Sequence, residues 1–310
     1  MTGSENTDQR TASASGYGDG ICRGRVVVVT GAGQGLGREH ALALAAEGAR
    51  VVVNDLGETA KAVAEEIVAA GGTAVADLGD ISDWDYAERL VGRAVAEFGT
   101  LHALVNNAGL NRDRMLVSMT EAEWDLVMKV DLKGHAAPLR HAAAYWRERS
   151  KQGDPVDARI VNTSSGAGLM GSVGQGNYGA AKAGIAALTV IAAAELARYG
   201  VTVNAIAPSA RTPMTEAVDA FADRMRVPES GFDSMHPGNI SPLVVWLASA
   251  DSGDVTGRVF EAEGGVLGLA DGWQHGPQRT RDRRWAPDEV GSAVRELLAD
   301  APAPAPVYGA

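Results

Sequence analysis

From Arg25 onward, short and almost wholly apolar runs alternate with longer amphipathic stretches, and this alternation restricts the fold more than any other feature of the chain. The runs are Arg25–Thr30, Arg50–Asn54, Thr73–Ala76, Ala103–Asn106, Ala158–Asn162, Val201–Ile206 and Arg258–Glu261. Between them the spacing predicts helices over Leu36–Glu47, Glu58–Ala70, Asp83–Phe98, Glu121–Arg149, Gly179–Tyr199 and Pro242–Ser249. A strand wetted on one face alternates apolar with polar residues; a continuous apolar run is covered on both. Strands of that kind separated by helices predict a doubly wound parallel sheet of about seven strands, with helices on both faces.

This is an α/β, Rossmann-type architecture, expected as a single domain over residues 24–270. Residues 1–23 lack periodicity and read as a flexible leader. Residues 271–310 break the rhythm and read as a C-terminal extension. It holds a basic run (Arg279, Arg281, Arg283, Arg284), a helix candidate at Asp288–Leu298 and a proline-rich end. Two readings of it stand: a tail packed on its own domain or a neighbouring subunit, or a segment whose Trp273, Trp285 or Tyr308 closes a substrate cleft.

The net charge is −11 without any block of like charge, which argues against nucleic-acid or anionic-membrane partners, since both require clustered cations. A single cysteine, Cys22, excludes an intrachain disulfide and suits a reducing, cytoplasmic setting. The small-apolar stretch Ala180–Ala197 has about the length of a membrane span, but it carries Lys182 and Glu195 and reads as a buried or subunit-facing helix. No metal site is expected.

Glycine is abundant, 38 residues in all against a usual ~7 %, and it clusters at Gly31–Gly37, Gly166–Gly179 and Gly264–Gly268, where backbone is expected to approach a ligand. The first cluster follows the first strand and opens a helix: Gly31, Gly33, Gln34, Gly35, Leu36 and Gly37. A tight turn there lets a pyrophosphate meet the free N–H groups and positive end of the helix. The second strand ends at Asp55, eighteen positions past Gly37 and followed by Leu56. A carboxylate in that place accepts from the adenosine ribose and repels a 2′-phosphate, so NAD is the expected cofactor.

The fourth run ends in Asn106-Asn107-Ala108-Gly109 and the fifth in Thr163-Ser164-Ser165; Tyr178 follows Ser165 by thirteen residues, and Lys182 follows Tyr178 by four. Tyr178 and Lys182 share one helix face. A phenol is a weak base at neutral pH, and an ammonium beside it stabilises the phenolate. Tyr178 is thus the expected proton donor or acceptor, with Ser165 hydrogen-bonding the substrate oxygen.

With these motifs in order over about Arg25–Gly268, and Pro208 after the sixth strand, the chain resembles the short-chain dehydrogenases/reductases. The strings VVVTGAGQGLGREHALALAAEGARVVVNDLG and GQGNYGAAKAGIAALT, together with Arg112-Asp113-Arg114, are similar to the (3R)-hydroxyacyl-CoA dehydrogenase domain of peroxisomal multifunctional enzymes of type 2. The resemblance implies that Lys182 also contacts the nicotinamide ribose, that Asp80 and Ile81 meet adenine, that Asn107, Ala108 and Gly109 hold the fourth strand against the cofactor, and that Pro208 and Thr212 flank the nicotinamide. Where many members carry an asparagine supporting a proton-relay water, this chain has Asp131.

The resemblance further implies NAD-dependent interconversion of a secondary alcohol and a ketone by a homotetramer or homodimer. The substrate is a small molecule: a 3-hydroxyacyl-CoA thioester or, as alternatives, a steroid-like alcohol or an oxoacyl thioester to be reduced. A cofactor-binding protein without turnover is a further reading, disfavoured by the intact Ser165, Tyr178 and Lys182. Substrate selection is expected in Pro213–Pro237, where Met214, Phe221, Met225, Phe232 and Met235 suggest either an adaptable apolar lid or plain packing.

Overall fold

The computed structural model describes residues 20–216, 225–270 and 272–309. Its strands are β1 (Val26–Thr30), β2 (Arg50–Asp55), β3 (Thr73–Leu78), β4 (Ala103–Asn106), β5 (Ala158–Thr163), β6 (Val201–Ser209), β7 (Val259–Glu263) and β8 (Val266–Ala270). They form one sheet in the order β3-β2-β1-β4-β5-β6-β7-β8, parallel except for the β7–β8 pair. Chain order reverses between β1 and β4, which opens a crevice above their C-terminal ends.

The helices are α1 (Gly35–Ala46), α2 (Thr59–Ala69), α3 (Trp84–Phe98), α4 (Glu121–Val127), α5 (Gly134–Lys151), α6 (Gly166–Leu169), α7 (Gly176–Leu196), α8 (Pro213–Glu216), α9 (Ser241–Ala248) and α10 (Pro287–Asp300). Alternate valines of β1 enter different cores. Val27 and Val29 pack with α1, α2 and α9, while Val26 and Val28 pack with α3, α5 and α7. Two buried faces explain why the strand sequences show no polar alternation.

Three features depart from the sequence expectation. An eighth strand is present: Gly264 (φ +54°) and Gly265 form the β7–β8 turn, so that glycine cluster builds a hairpin. The single long helix expected over Glu121–Arg149 is interrupted by a π-helical turn, Met128–Lys133, between α4 and α5. The stretch read as a leader ends before residue 23, because Cys22 N donates to Glu47 O and the thiol is buried with Sγ 3.4 Å from Val245 O. Burial pushes that thiol up to about 12, so it is an inert packing group. In line with the sequence reading, α7 has the length and apolarity of a membrane span yet lies on the sheet, burying Lys182 and Thr189 against β5.

The extension carries α10, none of whose residues is buried. Three of its four arginines are engaged within the extension. Arg279 pairs with Glu296 and Asp300, Arg283 pairs with Glu289, and the Arg281 guanidinium lies 4.5 Å from the Trp285 ring.

Candidate active site

A cleft of about 1000 Å³ lies over the C-terminal ends of the central strands. At its β1 side the chain turns through Gly31 (φ +62°) and Gly35 (φ +54°) into α1. No larger residue fits this loop. A Cβ on Gly31 would stand 2.7 Å from Ala108 Cα, one on Gly33 2.2 Å from Thr59 Oγ1, and one on Gly37 2.1 Å from Gly31 O. Gly31, Gln34, Gly35 and Leu36 face the cleft, whereas Gly33 and Gly37 shape the loop from behind. No side chain caps the start of α1 and its first turn holds no acidic residue, so its N–H groups and positive end are available to a pyrophosphate.

Short polar contacts hold this loop to its neighbours. Thr30 Oγ1 accepts from the backbone N–H groups of Asn107 (3.0 Å) and Ala108 (3.2 Å), and Asn107 Nδ2 donates to Thr30 O and Gly31 O, both at 3.1 Å. Asp55 accepts from Gly33 N at 2.9 Å and Gly57 N at 3.0 Å, which fixes its carboxylate beside the glycine loop. Leu56, Asp80 and Ile81 continue that wall, with Ala108 and Gly109 opposite. Asp80 accepts from Ser82 N and Oγ and pairs with Lys129 at 3.1 Å. Burial alone would raise its carboxyl, but the Ser82 bonds and Lys129 outweigh burial and hold it below the ordinary range. These glycines, open N–H groups and fixed carboxylates fit a nicotinamide dinucleotide.

The chemical centre lies where β5 meets α7. Ser165 caps α6, its Oγ accepting from Ala167 N at 3.2 Å, which leaves its own proton to donate into the cleft. The adjacent Ser164 is buried, and its hydroxyl donates to Lys182 O, so the two serines have different tasks. Tyr178 is half-buried on the cleft wall. Its N–H donates to Asn177 Oδ1, while Asn177 Nδ2 donates to Arg112 O and Glu123 O and ties α7 to the loop after β4.

Lys182 Nζ lies 5.4 Å from the Tyr178 ring centre, donates to Thr163 O at 3.0 Å, and stands 3.2 Å from Asp131 Oδ2. Asp131 sits in the π-helical turn, fully buried and outside the cleft lining; its Oδ1 accepts from Leu110 N at 2.9 Å. Oδ2 is off the hydrogen-bond direction of the ammonium. Gly109 packs over Asp131, which lies behind the cleft lining while Lys182 reaches it; a Cβ on Gly109 would lie 3.1 Å from Asp131 Oδ2 and 3.3 Å from Lys182 Nζ. Burial pushes the Asp131 carboxyl up, and Lys182 only partly pulls it back. Burial alone would lower Lys182, but Asp131 and then Tyr178 outweigh it, and the lysine is held above its ordinary value. Lys182 therefore keeps its proton, with Asp131 as its buried counter-ion.

The opposite wall chooses among the readings the sequence left open. Pro208 and Thr212 line the cleft beside Gly35. Of the apolar residues of Pro213–Pro237, Met214 faces the cleft, Met225 and Met235 are buried in packing, Phe232 is exposed, and Phe221 lies outside the described residues. Arg211 explains the packing: it pairs with Asp233, donates through Nη1 to Met225 O and through its backbone to Met235 O. Of the three tail aromatics, Trp273 is fully exposed, Trp285 stacks on Arg281, and Tyr308 lines the cleft. Lys129, Gln175, Glu261, Glu263 and Val266 also line it and were not foreseen. The last three belong to the β7–β8 hairpin, which no local pattern announced.

Residues 25–223 match the short chain dehydrogenase family. The chain is 46 % identical over 285 residues to the hydroxyacyl-CoA dehydrogenase ChsB1 of Mycobacterium tuberculosis, covering 89 % of each. It is 42 % identical over 254 residues to the peroxisomal hydratase-dehydrogenase-epimerase of Saccharomyces cerevisiae, covering 79 % of this chain and 26 % of that protein. A crystal structure of a short chain dehydrogenase from Mycobacterium avium superposes with a TM-score of 0.87 at 59 % identity, covering 94 % of this chain and all of the other. The chain belongs to the short-chain dehydrogenase family. It is an oxidoreductase acting on CH–OH groups, with a fold built for a nicotinamide cofactor.

Proposed function

We propose that this protein is an NAD-dependent 3-hydroxyacyl-CoA dehydrogenase. The observation that carries the reading is the convergence of Ser165, Tyr178 and a charged, buried Lys182 on one cleft that also holds the Asp55 wall. Nicotinamide, when bound, accepts the hydride in the oxidative direction. The Ser165 hydroxyl donates to the substrate oxygen and positions it. Tyr178 Oη takes the alcohol proton in oxidation and returns it in reduction. Lys182 supplies fixed positive charge beneath the phenol, and Asp131 with Thr163 O holds that ammonium in place.

The likeness to ChsB1 supports a thioester substrate, and so does Arg112. Its guanidinium lies on the cleft rim, donates to Asn111 O and has no ion pair among the described residues, which suits an anionic carrier group. The Asp55 carboxylate, fixed beside the glycine loop, supports NAD over NADP, since it would repel a 2′-phosphate. The exposed Val190 and Ile191 on α7 support a subunit contact in a dimer or tetramer, and the lone, buried thiol supports a cytoplasmic setting.

The test is reduction of NAD and NADP by the purified protein over a panel of 3-hydroxyacyl-CoAs and hydroxysteroids. Turnover of the thioesters with NAD is expected; turnover confined to steroids, or to NADP, overturns the reading. Asp55→Ser is expected to raise the NADP/NAD ratio of kcat/KM by about tenfold or more, since removing one like-charge contact is worth at least about 1.4 kcal/mol.

A further inference from the structure

We infer that Tyr308, delivered by the C-terminal tail, is a specificity-determining residue that sets how bulky an acyl group can reach Ser165 and Tyr178. The inference rests on the thioester reading for the nature of the substrate, but the placement of the tail does not depend on it.

The tail is docked by its backbone. Tyr308 N donates to Gly171 O at 3.2 Å and Val173 N donates to Tyr308 O at 2.9 Å, making a parallel bridge between Ser172 and Tyr308. The preceding Ala301-Pro302-Ala303-Pro304-Ala305-Pro306 cannot pair in this way, because every second residue lacks an N–H. Such a segment is a stiff spacer. It spans from the end of α10 to the cleft and presents Val307 and Tyr308 as the first residues able to dock. Gly309, which follows, is in the left-handed region (φ +76°).

The receiving surface is shaped for the ring. A Cβ on Gly166 would lie 3.0 Å from Tyr308 Cε2 and 3.1 Å from its hydroxyl, and one on Gly171 would lie 3.4 Å from Val307 Cγ1. Gly166 follows Ser165 directly, so the ring stands against the backbone that carries the substrate-binding hydroxyl. Tyr308 is nevertheless 47 % exposed, as befits a wall at the mouth of the cleft and not a core side chain. A tyrosine offers a large rigid surface at low entropic cost. Shortening it opens space beside Ser165, and enlarging it closes that space.

The test uses the full chain with Tyr308→Ala and Tyr308→Trp, measuring kcat/KM for long or branched 3-hydroxyacyl-CoAs against a four-carbon one. The bulky-to-short ratio is expected to rise about tenfold in Tyr308→Ala and to fall in Tyr308→Trp, as one or two methylenes in a pocket are worth that much. NADH binding, followed by fluorescence, is expected to stay unchanged in both. Ratios within twofold of the parent in both variants overturn the inference. If the parent turns over no thioester, the substrate reading fails and the same ratio is taken over secondary alcohols of differing bulk. Docking is read separately by hydrogen exchange. In Tyr308→Pro, which cannot donate to Gly171 O, the Val173 amide should exchange faster than in the parent; equal exchange overturns the placement of the tail.

Discussion

The two walls of the cleft are made by different means. On the β1–β3 side the functional groups lie at or just after the C-terminal ends of strands, held by side chain–backbone bonds such as Gly33 N to the Asp55 carboxylate and Asn107 Nδ2 to Gly31 O, with no room for an added carbon at Gly31, Gly33 or Gly37. The facing wall is assembled from a hairpin, a loop pinned by Arg211 and a tail that returns from the far end of the chain. At Gly268 of the hairpin there is room for an added carbon, since a Cβ would meet nothing nearer than 3.6 Å. A rigid wall suits an invariable dinucleotide, and an adjustable one suits a substrate whose size varies. Tyr178 and Lys182 stand on the seam.

The largest effect should come from that seam. Tyr178→Phe keeps the ring beside Lys182 and removes the oxygen that carries the proton, so kcat is expected to fall by about 10²–10⁴-fold while NADH binding persists. Steady-state rates with a fluorescence titration check this, and an undiminished kcat places the acid–base group elsewhere.

The next effect contrasts the walls directly. Gly37→Ala forces a carbon to within 2.1 Å of Gly31 O, and a loss of about 1–3 kcal/mol with weakened dinucleotide binding is expected. Gly268→Ala on the other wall should stay within about 0.5 kcal/mol of the parent. Urea unfolding of the two variants decides; equal losses would erase the distinction between the walls.

The smallest effect is a shift in pH. At neutral pH the Asp131 carboxylate shares the charge of Lys182, and its carboxyl, raised by burial, gives up that role on the acid side at a higher pH than an ordinary carboxyl. Asp131→Asn makes the uncompensated state permanent, so the ammonium acts on the Tyr178 phenol alone. The pH–rate profile for oxidation is then expected to move to lower pH. A profile that coincides with the parent's would mean that Asp131 serves packing only.

Of the seven strands legible in the sequence, β1, β2, β4, β5 and β6 are apolar runs largely buried on both faces, while β3 and β7 are only partly buried and were marked by their place between helical stretches. The eighth was not, since Val266, Leu267 and Leu269 are exposed and Gly268 interrupts them. The break between α4 and α5 was hidden because Met128–Lys133 keeps a helical composition, and only the wider turn reveals it. Within the site, the glycine loop, Asp55 and the Tyr178–Lys182 pair could be read because each lies at a fixed short spacing from a strand end or along one helix. Lys129 and Glu261 carry no such local mark.

The sequence by itself determined the doubly wound sheet, the dinucleotide loop and the phenol–ammonium pair, because backbone periodicity and spacings of a few residues are local properties. Tertiary structure alone decided that the Ser164 hydroxyl is spent on Lys182 O, and that Asp131 lies beneath Gly109 against Lys182. It also decided that Tyr308, and neither tail tryptophan, enters the cleft. Each of these depends on which distant segments pack together, and contacts between residues far apart in the chain leave no periodicity to read.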